Sequence, residues 1–260
     1  MSRKNNKKSL SYKRQQIQQL EEGLINNGIA MTEHKKKKSW SLNDFRTITP
    51  LNEPQREAFE EFTSGQHLIL NGSAGTGKTY AALYLAITDV LSSHTETKRI
   101  IIVRSAVASR NVGHLPGSLE EKTEVYEMPY KDMVSNLHCT GNPNTYDYMK
   151  ESGLIQFMPT SFVRGLTWDD AIIIVDEVQN LNFHELNSII TRVGDESSLI
   201  MVGDYIQTDL NKSSVDVSGM NRFLEIARTM PEFSEVVFGP DDIIRSGLVK
   251  SWILALEQAS

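Results

Sequence analysis

The sequence predicts an α/β fold, a mainly parallel sheet sandwiched by helices, on three observations. From about residue 48 onward, short apolar runs alternate with helix-forming stretches, the signature of a parallel sheet flanked by helices. The glycine-rich string Gly72-Ser73-Ala74-Gly75-Thr76-Gly77-Lys78-Thr79 joins the first run to a helix. A later run, Ile172-Ile173-Ile174-Val175, ends in the paired carboxylates Asp176-Glu177, where the carboxyl edge of such a sheet binds ligands.

The elements follow in chain order. Residues 1–45 read as a basic N-terminal arm and linker, helical or disordered, and residues 46–260 as the α/β domain. Residues 1–40 carry ten Lys/Arg against Glu21, Glu22 and Glu33, or +7; the remainder carries seventeen against thirty, or -13. An arm of that sign is a reasonable nucleic-acid contact, because each neutralised phosphate releases counterions. Ile17, Leu20, Leu24 and Ile25 recur at helical spacing, so residues 12–27 are expected to form one amphipathic helix. Pro54 suits a first helical turn, and that helix should stop at Gly65. Strands are expected at 67–70, 99–103, 154–158, 171–175, 198–202 and 235–238, with helices at 78–91, 183–192, 217–229 and 245–257. Residues 105–153, punctuated by Gly113, Pro116, Pro129, Gly141 and Pro143, read as a helix and loops inserted between strands.

Several function classes drop out. The longest apolar runs, Ile100 to Val103 and Ala171 to Val175, fall far short of the ~20 residues of a spanning helix, so no membrane partner is expected. The N-terminus is basic without an apolar stretch behind it, unlike a secretory signal, and the single Cys139 suits a reducing compartment. The expected location is cytoplasmic. The six histidines share no metal spacing with one another or with Cys139, which argues against zinc.

The glycine-rich string is a complete phosphate loop. Its glycines let successive N–H groups face one anion, and the following helix adds the positive end of its dipole. Residues 72–79 therefore cradle a nucleoside triphosphate, Lys78 reaches the β- and γ-phosphates, and Thr79 places its hydroxyl on Mg²⁺. Asp176 belongs in the Mg²⁺ shell, and Glu177 orients or deprotonates the attacking water. A further strand ends in Gly203-Asp204-Tyr205-Ile206-Gln207-Thr208-Asp209, where Gln207 can bond both phosphate and water. This string resembles the sensor motif of superfamily 1 helicases, and Gln55 resembles the glutamine with which they bond adenine. Both favour ATP.

The strings Val103 to Val107, Gly113 to Lys122, Arg164 to Ala171, Asp176 to Asn180, Thr191 to Gly194 and Gly203 to Asp209 resemble, in order and spacing, the PhoH family of ATPases. Ser105 and Val178 depart from that pattern, where Pro and Ala are usual. The resemblance implies a RecA-like P-loop core that uses ATP and Mg²⁺, acts on RNA or single-stranded DNA, and assembles as a homo-oligomer, with a hexameric ring among the possible forms. One core lacks the second that closes over ATP in superfamily 1 helicases. An arginine finger from the same chain or a neighbour is therefore expected, with Arg245 as first candidate and Arg192 as second.

Arg104 and Arg164 could contact nucleic-acid phosphates or simply pair with carboxylates. Tyr126, Tyr130, Tyr146, Tyr148 and Trp168 could stack bases or pack in the interior. The function expected is an Mg²⁺-dependent ATP hydrolase of the PhoH type, coupling hydrolysis to binding or remodelling of RNA or single-stranded DNA. The alternatives are a nucleotide-gated interaction protein with slow hydrolysis and a P-loop kinase.

Overall fold

The computed structural model describes residues 39–105, 119–204 and 219–259. Six strands, β1 (His67–Gly72), β2 (Arg99–Arg104), β3 (Ile155–Pro159), β4 (Ala171–Asp176), β5 (Ser198–Gly203) and β6 (Phe233–Phe238), fall on the apolar runs marked by the sequence. All pair in parallel, in the order β3-β2-β4-β5-β1-β6. The strand β5 is thus inserted between the strand of the phosphate loop and the acidic strand β4. Register aligns Asn71 with Gly203, Val202 with Asp176, and Asp176 with Arg104. The carboxyl ends of β1, β5, β4 and β2 therefore finish along one edge.

Alternation along the strands divides the interior into two cores. On one face Ile100, Ile102, Ile172, Ile174, Ile200 and Val202 pack against α1 (Glu53–Thr63), α2 (Lys78–Val90), α3 (Leu119–Leu137) and α4 (Thr145–Ser152). On the other, Ile101, Val103, Ile173, Val175, Leu199 and Met201 pack against α5 (Phe183–Ile190) and α6 (Met220–Ala227). Every residue of β4 is buried. At ~1.5–3 kcal/mol per buried isoleucine, this central strand is the best anchored platform in the sheet for a pair of carboxylates. A last helix, α7 (Gly247–Ala259), follows β6.

Local signals explain the ends of α1. Asn52 caps it by accepting the Gln55 N–H, Pro54 sits in its first turn, and the chain turns away at Gly65, whose φ of +94° suits glycine. Between β2 and β3, two helices stand where one helix and loops are expected. Pro129 lies inside the nineteen-residue α3, a residue that normally breaks a helix. Here Tyr130, Val134 and Leu137, spaced four and three apart, are buried against the sheet, and that burial outweighs the lost backbone bond.

From Trp40 onward the chain forms one compact unit. The helix expected at 12–27 and the start of the helix expected at 217–229 lie outside the described residues. Among the described residues no helix is long and apolar enough to cross a membrane.

Candidate nucleotide site

The phosphate loop is shaped by two close approaches. A Cβ at Gly72, where φ is +130°, would lie 1.9 Å from the carbonyl oxygen of Phe238 in the neighbouring β6. Gly77 takes φ +86° as the residue that caps α2, aiming the helix N-terminus into the loop. The Lys78 side chain is buried there, and its ammonium donates to the carbonyls of Gly72 at 2.6 Å and Ser73 at 2.7 Å. Burial lowers the pKa of Lys78, against the opposing pull of Asp204, Asp176 and Glu177. A buried cation facing three carboxylates is an electrostatic setting in which a polyphosphate and its counter-cation fit together.

The acidic end of β4 stands across from it. Asp176 Oδ1 accepts from the Thr79 hydroxyl at 3.2 Å, so the first turn of α2 and the end of β4 are already joined. Asp176 Oδ2 accepts from the Tyr130 hydroxyl at 2.7 Å. Burial raises the Asp176 pKa, whereas the bonds from Tyr130 and Thr79 and the charge of Arg104 hold it down. Burial likewise pushes the Tyr130 phenol well above its ordinary range. Thr79 and Asp176 are hard oxygen donors of the kind Mg²⁺ takes when phosphate and water complete its shell, and so the donor set fits that ion. No cluster of three or more His, Cys, Asp or Glu among the described residues offers an all-protein metal cage.

Glu177 leaves the strand in the left-handed region, φ +56°, which turns its side chain away from the course of β4. Its Oε2 accepts from Gln179 Nε2 at 2.5 Å, and its Oε1 is 3.6 Å from the Arg104 guanidinium. Gln179 in turn accepts the Asp204 N–H at 3.2 Å, tying the end of β5 to the acidic turn. Glu177 is thus a carboxylate held by the Gln179 amide and paired with the Arg104 charge, a group able to accept a proton.

The other expected site residues divide. Gln55 is buried, and its amide is turned to the protein: Nε2 donates to the Thr76 carbonyl at 3.0 Å, and Oε1 accepts the Leu51 N–H at 2.9 Å. Gln55 therefore braces the phosphate loop from α1. Arg245 comes to the loop of its own chain, where a Cβ at Gly75 would lie 2.9 Å from Arg245 Cγ, and the next residue back, Ile244, donates its N–H to the Gly75 carbonyl at 3.1 Å. Arg192 is far from it. Its carbonyl pairs with the Trp168 N–H, and its guanidinium with the Leu166 carbonyl at 3.4 Å, at the amino edge of β4, a strand's length from Asp176. Gln207 lies outside the described residues. Tyr130, Tyr146 and Trp168 are core residues, because burial leaves no face for a base to stack on, while Tyr148 is exposed.

The family model described as PhoH-like protein matches residues 47–257. The chain belongs to the PhoH-like family. A PhoH-like protein of Bacillus subtilis (strain 168) is 35% identical over 188 residues, covering 72% of this chain and 57% of that one. Protein PhoH of Escherichia coli (strain K12) is 30% identical over 209 residues, covering 79% of this chain and 58% of that one. This PhoH-like chain thus spans a little over half the length of the curated relatives it matches. Among solved structures, the DUF1998 helicase MrfA bound to DNA aligns over 72% of this chain and 26% of that one, with 11% identity and a TM-score of 0.38. That likeness is too weak to bear on fold or function.

Two residues of this PhoH-like site carried little signal in the sequence. Arg104 is legible only as a strand-end arginine, yet register sets it opposite Asp176 and its charge beside Glu177. Tyr130 sits in the least regular stretch of the sequence, and its place against the sheet is set by the buried stripe of α3.

Proposed function

We propose that this chain is an Mg²⁺-dependent ATPase that couples hydrolysis to binding or remodelling of RNA or single-stranded DNA. The observation that carries the reading is the junction of Thr79 with Asp176 at 3.2 Å, with Lys78 behind it and Glu177 next in the chain. In this reading residues 72–79 wrap the phosphates, Lys78 neutralises the β- and γ-phosphates, and Thr79 and Asp176 hold Mg²⁺. When bound, the cation would supply charge neutralisation for the phosphates. Glu177 takes the proton of the attacking water, and Gln207 is assigned to orient that water. Arg245, beside Gly75, supplies positive charge at the γ-phosphate from the same chain. Arg192, at the far edge of the sheet, could reach a triphosphate only in a neighbouring subunit of a homo-oligomer.

Support for a nucleic-acid partner comes from the +7 arm of residues 1–40 and from the resemblance to superfamily 1 motifs. A second reading is a nucleotide-gated interaction protein with slow hydrolysis, in which the Gln179 bond and the Arg104 charge hold Glu177 away from the water. ATP turnover measured with and without single-stranded RNA and DNA separates the two. Stimulation by either polymer is expected for coupling. Slow turnover indifferent to both polymers would favour the gated protein.

A further inference from the structure

Tyr130 is fully buried in α3, with its ring against Phe157 at 6.0 Å between centroids. Packing in that position needs only the ring. The hydroxyl instead reaches the acidic edge of the sheet, 2.7 Å from Asp176 Oδ2. The charge of the Arg104 guanidinium lies near this hydroxyl. The phenol donates its single proton to Asp176. Asp176 is left with one oxygen held by Tyr130 and the other facing Thr79 at 3.2 Å. A carboxylate bound at both oxygens from opposite sides cannot swing about its last torsion without breaking a buried bond, which fixes the plane it presents.

We propose that Tyr130 is a positioning residue for the divalent cation: its hydroxyl locks the Asp176 carboxylate so that Oδ1 stands beside Thr79. The inference rests on the reading of Thr79 and Asp176 as the Mg²⁺-holding pair. It assigns α3 a part in the nucleotide site that its distance in sequence conceals. Removing an outer partner of a metal-ligating group typically weakens metal affinity about 10- to 100-fold, and a loss in that range is expected here.

The test is Tyr130→Phe, which keeps the ring and removes the hydroxyl. Mn²⁺ binding is followed by EPR in the presence of a non-hydrolysable ATP analogue, and binding of a fluorescent ATP analogue is followed in EDTA. The variant should need about 10- to 100-fold more Mn²⁺ than the wild type, with metal-free analogue binding unchanged. If its melting temperature also falls, the same substitution is made in Asp176→Asn, where it should change Mn²⁺ affinity little. Wild-type Mn²⁺ affinity in Tyr130→Phe, or an equal loss in both backgrounds, overturns the inference alone. Absence of any Mn²⁺ effect on the wild-type protein would overturn the metal-site reading as well.

Discussion

Glu177→Gln removes the carboxylate assigned to the attacking water while keeping its volume and hydrogen-bonding reach. The amide oxygen of the new side chain can still accept from Gln179, which sits 2.5 Å from Glu177 Oε2. The left-handed backbone at φ +56° is no harder for glutamine than for glutamate, so no new strain enters. The ion pair with Arg104 is lost, but it spans 3.6 Å and the Glu177 side chain is 38% exposed, so its contribution is about 1 kcal/mol or less. For a domain of this size that is a fall in melting temperature of about 4 °C at most. Proton transfer by a positioned base contributes about 10²–10⁴ in rate, or roughly 2.7–5.4 kcal/mol of barrier. The variant should therefore bind ATP as tightly as the wild type and hydrolyse it about 10²–10⁴ times more slowly. Single-turnover phosphate release, beside equilibrium binding of a fluorescent ATP analogue, reads both quantities. Hydrolysis at the wild-type rate with binding intact would refute the assignment of Glu177.

Two further outcomes follow from the scaffold. Gly72→Ala should cost about 3 kcal/mol or more, because its Cβ would collide with the Phe238 carbonyl at 1.9 Å and alanine disfavours φ +130°; chemical denaturation measures it, and near-wild-type stability would mean that β1 and β6 can part cheaply. Burial lowers the pKa of His67 below the ordinary 6.5, with Glu232 opposing, while its Nδ1 accepts the Leu199 N–H at 3.3 Å. The unfolded chain then binds the proton more readily than the folded one, so this contribution to stability is full above pH 6.5 and is lost as pH falls below it. Melting temperatures from pH 8 to 5.5 should decline less steeply in His67→Asn, whose amide oxygen can replace Nδ1 as acceptor; parallel curves would contradict the assignment.

Legibility of the sequence followed contiguity. The six strands were readable because a parallel sheet buried on both faces yields near-continuous runs such as Ile172 to Val175. The phosphate loop and the Asp176-Glu177 pair were readable because their chemistry is written in adjacent residues. Relations set by tertiary packing were not. Tyr130 lies forty-six positions from the carboxylate it bonds, in a helix that Pro129 disguises. Gln55 was found at its expected place in α1, but no string of letters shows that its amide bonds Thr76 and Leu51. Arg245 ranked ahead of Arg192 in the sequence, but only the sheet separates the two in space, one at the phosphate loop and the other at its amino edge.

The central claim, ATP hydrolysis at the loop that holds Lys78, is tested most directly by phosphate release from ATP in Mg²⁺ and in EDTA, for wild type and Lys78→Ala. Release by the wild type in Mg²⁺, abolished by EDTA and by the substitution, is the predicted result. Equal release by both proteins, or undiminished release in EDTA, would contradict it.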